Sequence, residues 1–461
     1  MTQTRAVGVT TGRLRSTRHQ RAWYWYDWAN SAYVTTTTTV LLAPYLTVVA
    51  KRAACPTLPS DAVCRSNLSV LGIPVSPGSL VPYTLTVSTI VSAIVLVFVG
   101  ALVDRSTRPT RLFAAFAWTG AVAACAMVFI TGTSWLLGVL LLIVANLCLG
   151  ASLVIYDSML IRIAGPDERD RVSSRGWALG YLGGGLLLAL NLLLLTLAGR
   201  LGLSAATAVR VSLLSAGLWW ALFTIIPVLG LRDLHGTTAA VARDAGVVRG
   251  SLGQLRDTLT ELRGYPQTML FLLAYLFFND GIQTVIGSSS IYGAEQLHLS
   301  GSQLVTVILL VQFVAFGGAL LFGRLARSYG AWRVVLWSLA VWAVVVGAAY
   351  FLPARRLLPF LVLAVFIGLV LGGSQALSRS MYSQLVPRGR EAEFFSLYQA
   401  MERGTSWFGT LLFGLVQQFT HSYRWAILAL VVFFAVGGAV LSRVQMREGV
   451  LAAGNPLPAV L

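Results

Sequence analysis

The chain has 461 residues, 56% hydrophobic and 11% charged, with 34 basic against 17 acidic side chains and a formal net charge of +17. A soluble chain carries roughly a quarter charged residues. At a mean hydropathy of +0.75 too few polar groups remain to coat a water-exposed surface, which excludes a disordered chain, a coiled coil and a multidomain soluble enzyme and leaves an all-α polytopic membrane protein.

A hydrocarbon core about 30 Å thick takes roughly 20 apolar residues per helix. Runs of that kind predict twelve transmembrane helices, at 22–49, 82–103, 111–131, 135–161, 173–198, 208–231, 266–292, 302–324, 331–352, 357–384, 393–418 and 423–443. Ahead of the first lies a basic tail, 1–21, with Arg5, Arg13, Arg15, Arg18 and Arg21. The run Trp23-Tyr24-Trp25-Tyr26-Asp27-Trp28 that follows reads as an interfacial aromatic belt rather than the apolar stretch of a cleaved leader. Thr35 to Thr39 are consecutive threonines inside the first span; their hydroxyls can bond back to the preceding turn and bend the helix, a hinge suited to alternating access. Lipid-tolerated polar packing fits them equally well.

The loop 50–81 is the one long segment on its side of the membrane and carries Cys55 and Cys64. A disulfide between them is allowed if that side is oxidising, and is weighed evenly against two free thiols. Cys125 and Cys148 lie in apolar helix and read as packing. Between the second and third spans the chain reads Gly100-Ala-Leu-Val-Asp104-Arg105-Ser-Thr-Arg108, which matches the Gly-x-x-x-Asp-Arg-x-x-Arg signature of the major facilitator superfamily. Glycine admits a neighbouring helix, and Asp104 at a helix end can cap an adjacent helix N-terminus or pair with arginine, locking one face shut. The matching loop of the second half keeps Gly323 but has Arg327 where the first has Asp104, so the two gates are expected to differ.

Gly176, Gly180 and Gly184 recur every fourth residue in the fifth span, a smooth stripe for close helix packing. It resembles the antiporter motif of drug-efflux facilitators, except that Tyr181 stands in place of proline; packing is the preferred reading. The segment 232–265 divides the chain into a first half, 22–231, and a second, 266–445, followed by a tail, 446–461. In it Leu252, Leu255, Leu259 and Leu262 recur at helical spacing, as in a short amphipathic helix lying on the membrane surface.

With the N-terminus inside, 25 of the 34 basic residues fall in inner segments, eight in outer ones, and Arg403 within a span. That bias predicts cytoplasmic termini. It also makes the basic excess a record of topology rather than a nucleic-acid footprint.

Charges inside spans cost roughly 2.5–3.5 kcal/mol each at mid-bilayer on insertion scales, so they face protein or a water-filled cavity. The candidates are Asp27, Asp157, Asp280, Glu402 and Arg403. Asp280 lies about 21 Å and Glu402 about 14 Å into their helices, deep enough for a substrate or proton site. Asp27 and Asp157 sit near the inner ends of theirs and read as structural or gating. Asp27 shares a helix face with Asn30, Asp280 with Gln283, and Asn146 with Asp157. Glu402 and Arg403, being adjacent, point about 100° apart and need separate partners. Arg403 is expected to meet an Asp or a substrate carboxylate, while Glu402 or Asp280, taken out of water, is the group to accept a proton. A purely structural buried ion pair is the competing reading.

Other chemistry lacks its parts. Lys51, the only lysine, is flanked by Ala50 and Arg52, so no phosphate-binding Gly-Lys-Ser/Thr exists. The four histidines form no metal-ligand pattern, and there is no Gly-x-Ser-x-Gly elbow. No cofactor, metal or enzymatic centre is expected.

Whole segments are similar to a known family: Tyr26-Asp-Trp-Ala-Asn-Ser-Ala-Tyr33, Ser174-Arg-Gly-Trp-Ala-Leu-Gly-Tyr-Leu-Gly-Gly-Gly185, Asn279-Asp-Gly-Ile-Gln-Thr284, Gly373-Ser-Gln-Ala-Leu-Ser-Arg-Ser-Met-Tyr382, Glu391-Ala-Glu-Phe-Phe-Ser-Leu-Tyr398 and Glu402-Arg-Gly-Thr-Ser-Trp407. Together they resemble the vacuole-effluxer-like family of the major facilitator superfamily, whose fungal members are autophagy-related exporters of amino acids. The resemblance implies two six-helix halves, with the first, fourth, seventh and tenth helices lining a cavity faced by Asp27, Asn30, Asp157, Asp280, Gln283 and Gln375. It places Glu402 and Arg403 on a helix at the interface between the halves. It further implies secondary transport of a small polar solute, favouring amino-acid efflux, either coupled to protons or as a uniporter. Lipid or drug efflux, a transport-dead sensor and a membrane enzyme are the alternatives. The expected partners are a small-molecule substrate, protons under the coupled reading, and the bilayer of a bacterial plasma membrane, with one chain sufficient for the cavity.

Overall fold

The computed structural model describes residues 16–57, 64, 66–70, 72–234, 262–404 and 407–461. The basic residues Arg5, Arg13 and Arg15 and the amphipathic repeat Leu252, Leu255 and Leu259 lie outside the described residues.

Among the described residues, eleven helices are long and apolar enough to cross a membrane. They are α1 (Arg18–Ala54), α2 (Leu80–Asp104), α3 (Pro109–Phe129), α4 (Trp135–Ile163), α5 (Pro166–Leu197), α6 (Ala205–Gly230), α7 (Pro266–Gln296), α8 (Gly301–Tyr329), α9 (Ala331–Ala349), α10 (Leu357–Gln384) and α12 (Tyr423–Ser442). Between the last two, the remaining expected span is made of two helical pieces, α11a (Glu391–Gly404) and α11b (Trp407–Thr420). The fold is the all-α polytopic bundle anticipated from composition.

Ordinary helix chemistry sets the ends. Thr17 and Gln20 form a reciprocal capping box at the start of α1, and Ser300 and Gln303 repeat it at α8. Pro109 and Pro266 occupy first turns, where a missing N–H costs nothing. α1 changes character along its length: it is π-helical over Val34–Leu41, which contains the five threonines. Thr38 and Thr39 both donate their hydroxyls to the Val34 carbonyl, at 2.6 and 3.0 Å. A run of β-branched residues crowds the preceding turn, and the wider π turn relieves it midway along α1; π turns inside α-helices are frequent at functional sites.

Cys55 and Cys64 are joined by a disulfide in the α1–α2 loop. The same loop holds a small antiparallel hairpin, β1 (Leu68–Val70) with β2 (Ile73–Val75), in which Leu68 faces Val75. Cys125 and Cys148 are free.

Two large apolar clusters form, one almost wholly from α1–α6 and the other from α7–α12. They meet along two seams: α5 packs on α8, and α2 packs on α11a. In the second seam Gly100 is indispensable, because a Cβ there would stand 2.7 Å from the Ala392 carbonyl and from the Ser396 Cβ. α11b packs instead against α12 and α7, so the α2–α11 seam runs along one end of the bundle only.

That end, here called basal, also holds residues 16–20 and 446–461. Gln20 reaches the Ile163 carbonyl. A last helix, α13 (Met446–Ala452), leads into Asn455, whose amide donates to the Gln384 and Val386 carbonyls at 2.9 and 2.8 Å. Those bonds satisfy carbonyls at the end of α10 that no helical N–H reaches. Ala459 N then donates to Asp167 Oδ1 at 2.6 Å, so the expected free tail is strapped across both halves.

Candidate functional site

A cavity of about 540 Å³ lies between the halves. Its walls come from α1, α4, α5, α7, α8, α10 and α11a. It runs from Asp27, Asp157 and Arg379 up to Ser290, Val307 and Phe360, close to the far ends of their helices. The far part is apolar and hydroxyl-lined, with Thr35, Thr38 and Thr39 contributed by the π-helical stretch of α1. The charged part is basal.

The basal floor is an ion cluster spanning both halves. Arg379 of α10 donates from Nη2 to Asp27 Oδ2 at 3.0 Å and from Nη1 to Asp157 Oδ1 at 3.1 Å. Its Nε and Nη2 also reach the Ser173 hydroxyl and carbonyl of α5, at 3.0 and 3.1 Å. All three charged residues are at most 5% exposed. The guanidinium is sandwiched by aromatic faces, 4.7 Å from the Trp23 ring and 5.3 Å from that of Trp177, a site for the planar, weakly hydrated arginine head rather than for lysine. Two carboxylates share one cation, and neutral donors hold the surplus charge: the Tyr156 hydroxyl on Asp27 at 2.7 Å and the Gln399 amide on Asp157 at 2.8 Å.

Polar contacts continue below this cluster. Ser173 donates to the Ala376 carbonyl, Ser380 to Asp170, and Arg169 to the Ser383 carbonyl and Gln384 Oε1. Asp104 closes the other seam by accepting from the backbone N–H groups of Ala392 and Glu393, at 3.0 and 2.8 Å, as a cap on the first turn of α11a. Of the two uses open to Asp104, the observed one is the helix cap. Arg105, Arg108 and Arg327 are exposed. The glycine stripe is the bed of α1, with Gly176 under Asp27, Gly180 under Ser31 and Gly184 under Thr35.

Above the floor stands α11a. Glu402 accepts from the Tyr275 hydroxyl at 3.2 Å and from Gln399 Nε2 at 3.4 Å. Arg403 lines the cavity and donates from Nε to Gln399 Oε1 at 3.2 Å. Among the described residues it forms no salt bridge; of the two expected partners, an Asp or a substrate carboxylate, the Asp is not there, and a neutral amide holds the guanidinium. Asn30, Gln283 and Gln375 line the same space. Gln312 of α8 donates to Thr35 across the halves at 3.0 Å.

Two sequence expectations need correction. Asp280 does not line the cavity: its Oδ2 accepts from the Gly409 backbone N–H at 2.8 Å, capping the start of α11b. Asp280 and Gln283 share one side of α7, about 60° apart around the helix, and α11b covers the Asp280 edge of that side while Gln283 borders the cavity. Arg379, counted among the inner-loop cations, is instead the central charge of the floor. Depth misled the count, because Arg379 is five residues from the end of α10 and a long side chain there ordinarily snorkels to water. Gln399 and Tyr156 carried no sequence signal of their own.

A profile of vacuole effluxer Atg22-like proteins matches residues 15–454. The chain belongs to this family. It is 28% identical over 430 residues to the "uncharacterized MFS-type transporter YxiO" of Bacillus subtilis, covering 93% of this chain and 95% of that one. "Autophagy-related protein 22-1" of Phaeosphaeria nodorum is 25% identical, over 83% and 78% of the two chains. Among solved structures, the proton:xylose symporter XylE superposes with a TM-score of 0.67 at 11% identity, covering 92% of this chain and 95% of its own. A bacterial homologue of the iron transporter ferroportin gives 0.65 at 13%, covering 94% and 98%. At such identities the likeness is one of fold. The protein is a membrane transporter of the major facilitator type, built as that fold requires.

Proposed function

We propose that this family member moves a small zwitterionic solute, an amino acid, by alternating access, with Arg403 as the anchor for its carboxylate. The observation that carries the reading is the contrast between two arginines. Arg379 is saturated by two carboxylates, whereas Arg403 faces the cavity held only by an amide oxygen among the described residues. A carboxylate offers a guanidinium charge attraction and a bidentate fit that a neutral amide oxygen does not. Glu402 lines the same cavity and faces the ammonium, and it is the carboxylate outside the gate that would carry a proton. Asp27, Asp157, Arg379 and Asp104 form the gate, closed at the basal end. The basic bias of the basal loops supports a cytoplasmic basal face, the effluxer family supports export as the working direction, and the Bacillus relative supports a bacterial plasma membrane.

The test is purified protein in liposomes offered labelled amino acids, with and without a pH gradient. Uptake is expected, with the half-saturating concentration rising about 10- to 100-fold in Arg403→Ala, as for loss of one hydrogen-bonded charge. Glu402→Gln should keep amino-acid exchange but lose the response to the gradient. Unchanged gradient-driven transport in that variant argues for uniport. Transport of apolar dyes in place of amino acids overturns the substrate reading, and binding without flux makes the protein a sensor.

A further inference from the structure

The cavity cation and the gate are joined through one neutral side chain. Gln399 is 2% exposed. Its Oε1 accepts from Arg403 Nε at 3.2 Å, and its Nε2 donates to Asp157 Oδ2 at 2.8 Å and Glu402 Oε2 at 3.4 Å. The neighbours dictate this orientation, since the oxygen must face the guanidinium and the NH2 the two carboxylates. Asp157 in turn holds Arg379 with its other oxygen at 3.1 Å. A continuous chain of bonds therefore runs Arg403, Gln399, Asp157, Arg379, Asp27, from solute anchor to gate and from one half to the other.

We propose that Gln399 is the positioning residue that couples occupancy of the cavity to the basal gate. This rests on the reading of Arg403 as the carboxylate anchor. A carboxylate arriving on Arg403 displaces the Gln399 amide oxygen, because a charged acceptor outcompetes a neutral one. Once released on that side, the amide turns in its slot, and Asp157 loses the donor that shared its negative charge. Arg379 then no longer balances two fully held carboxylates, and the closed floor is weakened when the anchor is occupied. A ligand shifts a conformational equilibrium only by its differential affinity for the two states, and Gln399 supplies the difference: the empty closed state keeps its bond to Arg403, while the occupied closed state has lost it.

The test uses spin labels on Thr107→Cys and Arg388→Cys, exposed positions on opposite halves at the basal end, with Cys125 and Cys148 replaced by alanine. An equimolar mixture of L-amino acids should lengthen the label distance in the otherwise unmodified protein. Gln399→Met removes acceptor and donor together. Gln399→Glu keeps an acceptor for Arg403 but turns a carboxylate on Asp157. In both, the resting open-to-closed ratio should rise on the order of tenfold, as for loss of one bond to a charged group. The amino-acid mixture should then add little, and binding should stay within a few-fold of normal in Gln399→Met, whereas the carboxylate of Gln399→Glu competes for Arg403 and should weaken it. Resting distances in the Gln399 variants equal to the parent's, or a parent that binds the mixture with no change of distance, overturn the coupling role, and a parent that does not bind the mixture overturns the amino-acid reading. Arg403→Ala that binds amino acids normally overturns the anchor reading instead, so the two failures are separable.

Discussion

Replacing Arg379 by methionine tests the gate most directly. Methionine fills much of the volume between the Trp23 and Trp177 faces but leaves Asp27 and Asp157 buried without the cation that sits 3.0 and 3.1 Å from them. Breaking a buried ion pair from one side costs about 3–5 kcal/mol, because the remaining charge stays desolvated. Opening the basal end admits water to both carboxylates, and an exposed pair is worth only about 0–1 kcal/mol. The closed state is therefore penalised by about 4 kcal/mol more than the open one, about a thousandfold in their ratio at 1.36 kcal/mol per factor of ten. Distance measurements between labels at Thr107 and Arg388 should show Arg379→Met resting open. Adding Asp27→Asn and Asp157→Asn to it removes the stranded charges while keeping acceptors for the Tyr156 hydroxyl and the Gln399 amide, and should restore most of the closed population. A single variant that rests closed, or a triple variant no more closed than the single, refutes the ion cluster as the element that holds the floor.

Four further outcomes follow from the geometry. Gly100→Val places a Cβ 2.7 Å from the Ala392 carbonyl, so α2 and α11a must separate and the same labels should report a more open basal end. Asp104→Ala removes the cap from Ala392 N and Glu393 N, a loss of about 1 kcal/mol that should appear as faster amide hydrogen exchange confined to 391–396. Asp280→Asn keeps an oxygen for Gly409 N and should transport with an unchanged pH dependence, whereas Asp280→Ala should lower thermal stability; loss of proton coupling in the asparagine variant would return Asp280 to the site. Asn455→Ala frees the Gln384 and Val386 carbonyls, and limited proteolysis should then cut 453–461 faster without disturbing the helices.

What was readable along the chain and what was not divides by the range of the interaction involved. The spans were legible because burial in lipid needs a run of apolar residues that no other structure requires. The Gly100–Asp104 loop was legible because close approach needs glycine and a helix end needs a cap, both local demands. Asp27, Asp157, Glu402 and Arg403 were visible as charges at forbidding depth. Their partners were not. Arg379 passed for a loop cation because depth along one helix says nothing about which neighbour covers its end. Asp280 passed for a cavity residue because a sequence shows that a side chain is polar, not which side of the helix faces a packed neighbour.

By itself the sequence determined a membrane bundle and most of the charges held within it, since each follows from the cost of placing a residue in hydrocarbon or in water. Tertiary structure alone decided which of those charges meet. Two carboxylates from α1 and α4 converge on an arginine of α10, and an amide of α11a stands between that cluster and the cavity cation, because helices far apart in sequence are brought within hydrogen-bond reach only when the halves close on each other.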